Sequence, residues 1–276
     1  MTAESVSSGP LSPVGTTATR DLVDGFLQWH LWLRLGWLEV RRRYRRTVVG
    51  PFWGTLSLGV FVAAFGAVGV GLWNQKPEDY LPFLTAGIIV WTMISTVITE
   101  SGMLFVSSSN LFRQMRFNYS VLAYSLVYRN CVLLVHNLSI YVVVLLIFGA
   151  NKLSPAMLLA LPGLALLLIN GVWTALLVGM FCLRYRDLQQ LITSLLQIAM
   201  FITPIFWPPS SLSGRSRIIF IDFNPFYHFI ELVRAPLLGE VPAATTWLVV
   251  GLITVVGWGV TFVFFDRFRK RIAYWS

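Results

Sequence analysis

Long apolar segments separated by short polar ones dominate this chain of 276 residues. About 17 to 25 apolar residues are enough for a helix to cross the hydrocarbon core of a bilayer. The pattern therefore predicts an all-α integral membrane protein with six transmembrane helices in one membrane domain at residues 47–276. The predicted spans lie near residues 51–73, 81–105, 131–150, 155–183, 191–207 and 241–265.

An amphipathic segment at residues 21–46 precedes the first span. Its apolar residues recur every three or four positions, which places them on one stripe of a helix. Charged residues lie off the stripe, so we expect an N-terminal helix in the cytoplasmic membrane interface, either as an anchor or as a guide for substrate. Residues 1–20 are rich in Ser, Thr, Gly and Pro, and we expect them to form a disordered tail. The stripe comprises Leu22, Phe26, Trp29, Leu33, Trp37, Val40 and Tyr44.

Two further segments are expected to touch the membrane without crossing it. Ser and Asn at positions 107–110 can cap a short cytoplasmic helix between spans two and three, which suits docking to a soluble motor. On the outer side, residues 208–240 include an amphipathic segment that starts at Asn224-Pro225 and predicts short re-entrant helices. The candidate docking residues are Leu111, Phe112, Arg113, Met115 and Arg116.

The distribution of basic residues sets the expected orientation. The chain has a net charge of +9, and its densest basic run, residues 41–46, directly precedes an uncharged stretch at residues 47–75. Because cytoplasmic loops carry excess Lys and Arg, we expect both termini in the cytoplasm. With 56% hydrophobic and 12% charged residues, the chain is expected to meet anionic lipid and not nucleic acid. Only five of its 21 basic residues then lie outside: Lys76, Lys152, Arg215, Arg217 and Arg234.

Motifs for catalysis or metal binding are missing from the sequence. It has no G-x-x-x-x-G-K-[ST] phosphate loop, so ATP hydrolysis is expected from a separate subunit, and this chain is expected to bind no cofactor or metal. Cys131 and Cys182 are not expected to form a disulfide. Glu100, near the cytoplasmic end of span two, is either a functional carboxylate or the partner of a nearby arginine. His136 and Asn137 in span three form either a polar path or interhelical hydrogen bonds.

The run from Arg43 to Trp53 carries a family signature. It reads R-Y-R-R-T-V-V-G-P-F-W and resembles the R-Y-x-x-[ST]-x-L-G-x-x-W motif of ABC-2 type permeases that export polysaccharides, with Val49 in place of leucine. Further similarity lies in residues 183–188, in Thr203-Pro204-Ile205 and in Asn224-Pro225, in matching order from about residue 21 onward. The chain most resembles permease subunits of lipopolysaccharide O-antigen exporters, and teichoic acid and capsule exporters are similar.

This resemblance implies partners and a substrate. It implies a homodimer of six-span subunits in a bacterial inner membrane, with two ATP-binding cassette subunits that bind ATP and Mg. It also implies that a polyprenyl-diphosphate-linked polysaccharide moves through a channel between the two permeases. Guanidinium groups suit diphosphate oxygens, so the basic run either binds the substrate headgroup or only sets topology. The headgroup candidates are Arg41, Arg42, Arg43, Arg45 and Arg46.

Aromatic side chains are the candidate lining of such a channel, because their faces stack on sugar rings while tolerating many sugars. The alternatives are packing against neighbouring helices and lipid. Other substrates compatible with the fold are teichoic acid, capsule, a drug or a small lipid. A membrane enzyme acting on polyprenyl-linked sugars would need convergent acids or histidines near the bilayer surface, which the sequence does not show. The channel candidates are Trp173, Phe201, Phe206, Trp207, Phe226 and Tyr227.

Overall fold

The computed structural model describes residues 17–45, 50, 52–108, 118–148 and 154–275, and all regular structure in these ranges is helical. Short 3-10 turns at Pro155–Leu159 and Pro209–Ser211 and a π-turn at Ile218–Asp222 supplement the α-helices. The α-helices are α1 (Ala18–Leu27), α2 (Trp29–Tyr44), α3 (Phe52–Leu72), α4 (Pro77–Ser101), α5 (Ser120–Phe148), α6 (Ala160–Arg184), α7 (Leu188–Ile202), α8 (Gly214–Arg217), α9 (Pro225–Leu237) and α10 (Ala244–Trp275).

Within the described ranges, five helical segments are long and apolar enough to cross a membrane. This confirms the prediction of an all-helical integral membrane protein. The helix α7, which occupies the predicted fifth span, is shorter, with 15 residues. It ends before Thr203-Pro204 because proline lacks the N–H that would continue the helical hydrogen bonding. The five are Phe52–Leu72, Pro77–Ser101, Ser120–Phe148, Pro155–Arg184 and Ala244–Ile272.

Some helix ends differ from the predicted spans because charges are buried in ion pairs. The helix α5 begins at Ser120, well before the predicted start at Cys131. Arg129 lies within it and pairs with Glu39 and Glu100. The last helix, α10, likewise continues past residue 265, where Arg269 is only 2% exposed. A hydropathy pattern ends a predicted span at a charged residue because it contains no information about the ion-pair partner of that residue.

The helix α4 is the centre of the bundle. It contacts α3, α5, α6, α7 and α9, and its packed residues include Leu84, Ile89, Trp91 and Val97. Within its most apolar window 61% of the residues are buried, compared with 22% in α3. The two helices are similarly apolar, so packing alone separates them.

The amphipathic segment forms two helices, α1 and α2, that change direction at Gln28. They lie along the first turns of α5, and glycines make this close approach possible. A Cβ at Gly25 would lie 2.1 Å from the Oγ of Ser120, and one at Gly36 would lie 2.7 Å from Cδ1 of Tyr128. The predicted stripe is therefore divided: Val40 is buried, whereas Phe26, Trp29 and Trp37 are exposed.

The helix α9 packs among α4, α6 and α10. Asn224 caps its N-terminus by accepting hydrogen bonds from the backbone N–H groups of Phe226 and Tyr227. The Phe226 ring meets Trp91 edge-on, with 5.4 Å between ring centroids. Trp91 lies near the middle of α4. The N-terminal end of α9 is therefore inserted deep between the long helices.

The segment at residues 189–206 runs along nearly the whole of α4. At one end the Nε2 of Gln189 donates to the carbonyl of Thr99 at 2.8 Å. At the other end the Tyr80 hydroxyl donates to the carbonyl of Phe206 at 2.6 Å. Tyr80 and Thr99 are separated by about 28 Å along α4 at the usual helical rise, close to the thickness of a hydrocarbon core.

Candidate functional site

The arginines at the end of α2 border an open cavity of about 790 Å³. Arg41, Arg42 and Arg45 line it and are exposed, so they could approach a lipid phosphate. Arg43 differs, because its guanidinium donates to the Oε1 of Glu100 at 2.6 Å. Arg46 lies outside the described residues. The remaining lining consists of Trp37, Leu38, Val40, Tyr44 and Gly50.

Glu100 joins three helices at this end of the bundle. Besides Arg43 of α2, it accepts from Arg129 at 2.6 Å and from Asn130 at 3.0 Å, both on α5. Arg129 also pairs with Glu39 of α2. Pairing with a nearby arginine was one of the two predicted roles of Glu100. The structure gives it two such partners, Arg43 and Arg129. The ion pair with Glu100 gives Arg43 a structural role. Arg41, Arg42 and Arg45, the other exposed arginines of the cluster, take no part in this ion pair.

A polar cavity of about 380 Å³ lies beside Arg43, between α3, α4 and α5. The Thr55 hydroxyl donates to the Oδ1 of Asn137 across its wall at 3.2 Å. Asn137 therefore makes an interhelical hydrogen bond, and His136 bonds within α5 to the carbonyl of Val132 at 2.7 Å. Other polar groups that line the cavity are Ser57, Thr92, Thr96 and Asn130.

The open face of α7 combines a polar and an apolar stripe. Gln190, Ser194 and Gln197 recur at helical spacing and are exposed. Leu196 is its one buried residue, and no residue of α7 is charged. Unpaired amides are expensive in hydrocarbon, so the polar stripe is unsuited to contact lipid tails. The neighbouring exposed stripe is Leu191, Leu195, Ile198 and Ile202.

Hydroxyl groups give a similar neutral polar character to the second half of α4, which ends at Ser101. Thr92, Thr96 and Thr99 are only partly buried. Each hydroxyl donates to a carbonyl of the preceding turn, at 2.7, 2.6 and 2.6 Å respectively. These bonds satisfy the donors and leave the hydroxyl oxygens able to accept hydrogen bonds from another molecule.

Three of the six aromatic candidates meet at the far end of α7. Phe206 lies 5.9 Å from Phe201, ring centroid to ring centroid, and the Trp207 indole donates to the Phe201 carbonyl at 3.1 Å. Phe61 and Phe65 of α3 complete this aromatic cluster, with centroids 6.1 and 4.5 Å from Phe206. These two phenylalanines were not among the channel candidates, although their i, i+4 spacing puts them on one face of span one.

The other aromatic candidates lie elsewhere. Trp173 and Phe226 line an apolar cavity of about 330 Å³ between α4, α6, α9 and α10. Tyr227 lies beside Arg234, with 5.9 Å from the guanidinium carbon to the ring centroid. The six candidates therefore do not line one common surface: three lie at the aromatic cluster, two at this cavity and Tyr227 beside Arg234. The docking candidates Leu111, Phe112, Arg113, Met115 and Arg116 lie outside the described residues.

Arg234 is a structural residue that the sequence analysis assigned only to the outer surface. It is 1% exposed and lies over the Phe83 ring at 4.2 Å. Its guanidinium donates to the Pro204 carbonyl at 2.7 Å and to Glu231 at 2.9 and 2.5 Å. The i, i+3 spacing of Glu231 and Arg234 was a signal for the ion pair but not for its burial.

Comparisons with known proteins identify the family to which this sequence is similar. The profile of the ABC-2 type transporter family matches residues 30–238, from α2 through α9. The O-antigen export system permease protein RfbA of Myxococcus xanthus is 25% identical to this chain over 242 residues, which are 85% of this chain and 91% of the relative. The family resemblance predicted from the sequence is thereby confirmed. The chain belongs to the ABC-2 type transporter family, whose members are membrane subunits of transporters.

Proposed function

We propose that this chain is the permease subunit of an ATP-driven exporter of polyprenyl-diphosphate-linked polysaccharide. The observation that carries the proposal is the exposed neutral stripe of α7, Gln190, Ser194 and Gln197, on a helix that contacts α4. Amides and hydroxyls exchange hydrogen bonds with sugar hydroxyls without holding them as tightly as charges would. Phe201 and the aromatic cluster at the end of the stripe add ring faces suited to sugars.

The same proposal includes six crossings with both termini in the cytoplasm of a bacterial inner membrane. Residues 189–206 supply the sixth crossing as a short helix followed by a turn, supported by their bonds to both ends of α4. The charge bias supports the orientation. Exposed Phe26, Trp29 and Trp37 suit α1 and α2 to the cytoplasmic interface, and the inserted α9 suits a re-entrant helix near the outer face.

A second copy of the chain would complete the path. The apolar stripe of α7 and much of α3 are exposed, and Gln190, Ser194 and Gln197 border that stripe. In a homodimer, these open faces of two subunits would enclose a channel whose polar lining is shielded from lipid. Two ATP-binding cassette subunits, which would bind ATP and Mg, would dock at residues 111–116.

Arg41, Arg42 and Arg45 are the proposed contacts for the substrate diphosphate. They are exposed, and they share a cavity at the cytoplasmic end of the path. Arg43 is committed to Glu100 and belongs to the ion pairs that hold α2 in place. The printed name of the Myxococcus xanthus relative, an O-antigen export permease, supports a polysaccharide as the cargo.

The test is a deletion strain complemented with variants. Deletion should leave lipid-linked polymer inside the cytoplasm, and the wild-type gene should restore polymer at the cell surface. The triple variant Arg41→Gln, Arg42→Gln, Arg45→Gln should fail to restore export while inserting normally. A control with the same loss of charge is Arg215→Gln, Arg217→Gln, Arg267→Gln, all exposed arginines outside the cavity, and it should export. Normal surface polymer in the deletion strain would exclude the proposed function.

A further inference from the structure

Gln189 attaches α7 to α4 at the cytoplasmic end of the bundle. Its Nε2 donates to the carbonyl of Thr99, in the last turn of α4, at 2.8 Å. Its Oε1 sits directly over Gly102, where an added Cβ would lie 1.4 Å from this oxygen. The glycine therefore makes room for the amide. The Oε1 atom is buried and has no hydrogen-bond partner among the described residues.

This contact lies where α4 leads into the connection that contains the proposed docking residues. Residues 102–108 continue from α4 as tight turns, in which Ser107 and Ser108 donate to the carbonyls of Met103 and Leu104 at 2.8 and 2.9 Å. Residues 109–117 follow. A displacement of the connection would therefore act first on Gly102, which lies beyond the ion pairs of Glu100 and packs against the Gln189 amide.

The other side of the connection is anchored by a buried charge. Asp21 is fully buried and accepts hydrogen bonds from the backbone N–H groups of Tyr119 and Ser120 at 3.2 and 3.0 Å. Arg269 of α10 lies 3.8 Å from the same carboxylate and donates to the Thr17 carbonyl. Buried charge pairs with several hydrogen bonds resist displacement. We expect the start of α5 to stay in place with α1 and α10.

The outer end of α7 is also pinned, whereas its middle is open. The chain just beyond α7 receives hydrogen bonds from Tyr80, Asn224 and Arg234 at 2.6, 3.0 and 2.7 Å. Between the two ends, Leu196 is the one buried residue of the helix. The helix α7 is held by three hydrogen bonds just beyond its outer end and by the Gln189 contact at its other end. A force applied at the Gln189 end would therefore tilt α7 about its outer end.

We propose that the Gln189 amide is the link through which movement of the α4–α5 connection reaches α7. This rests on the proposed function and deepens it, because α7 carries the proposed sugar-facing stripe. A single neutral hydrogen bond, with the amide oxygen left unpaired, suits a contact that is exchanged during each cycle. Gln189 acts as a positioning residue and does not touch the substrate.

The first experiment measures coupling in the complete transporter reconstituted with its ATPase. Gln189→Leu removes the bond at nearly constant volume, and Gly102→Ala displaces the amide. Both variants should assemble with the ATPase and hydrolyse ATP at the wild-type basal rate, while polymer exported per ATP falls at least about 5-fold. The matched control is Gly259→Ala in α10, where an added Cβ meets no atom within 4 Å. An unchanged export ratio in both variants would overturn the proposal.

A second experiment needs no substrate and separates the two proposals. Spin labels at Leu195→Cys in α7 and Val135→Cys in α5, both exposed positions, report their distance in a background with Cys131→Ser and Cys182→Ala. ATP binding should change this distance in the otherwise wild-type transporter but not with Gln189→Leu. Equal behaviour of the two would refute the link. A Gln189-dependent change without polymer export would uphold the link and refute the proposed cargo.

Discussion

The helices α4 and α7 have similarly apolar sequences but opposite surroundings. The helix α4 contacts five other helices, and both of its ends are joined to buried or half-buried ion pairs, through Glu100 at one end and beside Arg234 at the other. The helix α7 has one buried residue, no charge and two exposed stripes. Charged residues thus form ion pairs that join α4 to its neighbouring helices, whereas the polar groups on the exposed face of α7 are neutral.

This difference separates a part of the subunit that is packed within the chain from a part that is exposed and that, under the proposed function, meets a partner or cargo. Substitutions in the first part should change the stability of the isolated chain. Substitutions in the second should leave the isolated chain intact and change export. Four predictions test the distinction.

The largest effect is expected at Arg234, which joins α9 to α4 and to the chain after α7. Arg234→Ala leaves Glu231 and the Pro204 carbonyl without their partner, and breaking a buried ion pair typically costs about 3–5 kcal/mol. Thermal unfolding of the purified chain in detergent should show a clear fall in Tm. Arg217→Ala, at an exposed arginine nearby in the chain, is the control and should leave Tm unchanged. An unchanged Tm for Arg234→Ala would mean that this junction does not hold α9.

A matched pair of isoleucines compares the two helices directly. Ile89 of α4 is fully buried, whereas Ile198 of α7 is 56% exposed. Ile89→Ala should cost about 2–5 kcal/mol through lost packing and a cavity. Ile198→Ala should have a much smaller effect on the isolated chain, because few contacts are lost. A similar loss at both positions would show that α7 is already covered, and dependence of that loss on protein concentration would identify a second copy as the cover.

Asp21 tests the junction between α1, the start of α5 and α10. Asp21→Ala leaves the N–H groups of Tyr119 and Ser120 unpaired, at a cost of about 1–3 kcal/mol, whereas Asp21→Asn retains an acceptor and should cost less. Burial raises the pKa of Asp21 above 3.8, against the opposing effects of Ser120, Tyr119 and Arg269.

The raised pKa gives this prediction a pH dependence. Between 3.8 and the raised value, the folded state binds the proton more tightly than the unfolded state does. The corresponding stability is fully present below pH 3.8 and is lost as the pH rises through the raised pKa. Unfolding at a series of pH values should show this decline in the wild type and a flatter profile for Asp21→Asn. Parallel profiles would indicate that Asp21 does not titrate in this range.

The smallest effect is expected on the polar stripe of α7. Gln197→Leu should leave the amount and stability of the protein unchanged, since the side chain is exposed. Loss of one hydrogen bond to a sugar, worth about 1 kcal/mol, should lower export about 5-fold. Export of labelled polymer from vesicles is the measurement. Ile198→Leu on the neighbouring apolar stripe is the control, and equal export by both variants would argue against a sugar-facing stripe.

The sequence predicted the helical membrane class and the family because both depend on local patterns. Apolar length sets the spans, and the Arg43–Trp53 motif carries the resemblance. It predicted less about charged positions. Arg129 and Arg234 were placed at loops or outer surfaces, although their partners make burial possible. Glu100 lies on a different helix from Arg129, and the Pro204 carbonyl that accepts from Arg234 lies 30 residues away in the chain, so no hydropathy window contains these partners together.

The candidate site shows the same division. The arginine cluster was selected from sequence, but only the structure separates Arg43, paired with Glu100, from exposed Arg41, Arg42 and Arg45. Of the aromatic candidates, sequence could not tell that Phe206 joins Phe61 and Phe65 whereas Phe226 lies against Trp91. The type of a residue shows that it is suited to contact sugars, whereas its position in the tertiary structure decides which groups it contacts.

The sequence by itself determined that this chain is a helical membrane protein of the ABC-2 type, because hydrophobic length and a contiguous motif are local properties. The tertiary structure alone decided which helix is enclosed and which is open. Asp21 meets Arg269, and Arg234 meets Pro204, only when distant parts of the chain fold together. Such contacts hold α4 in the centre and leave α7 with an uncovered polar stripe, since burial depends on neighbours and not on the composition of a helix.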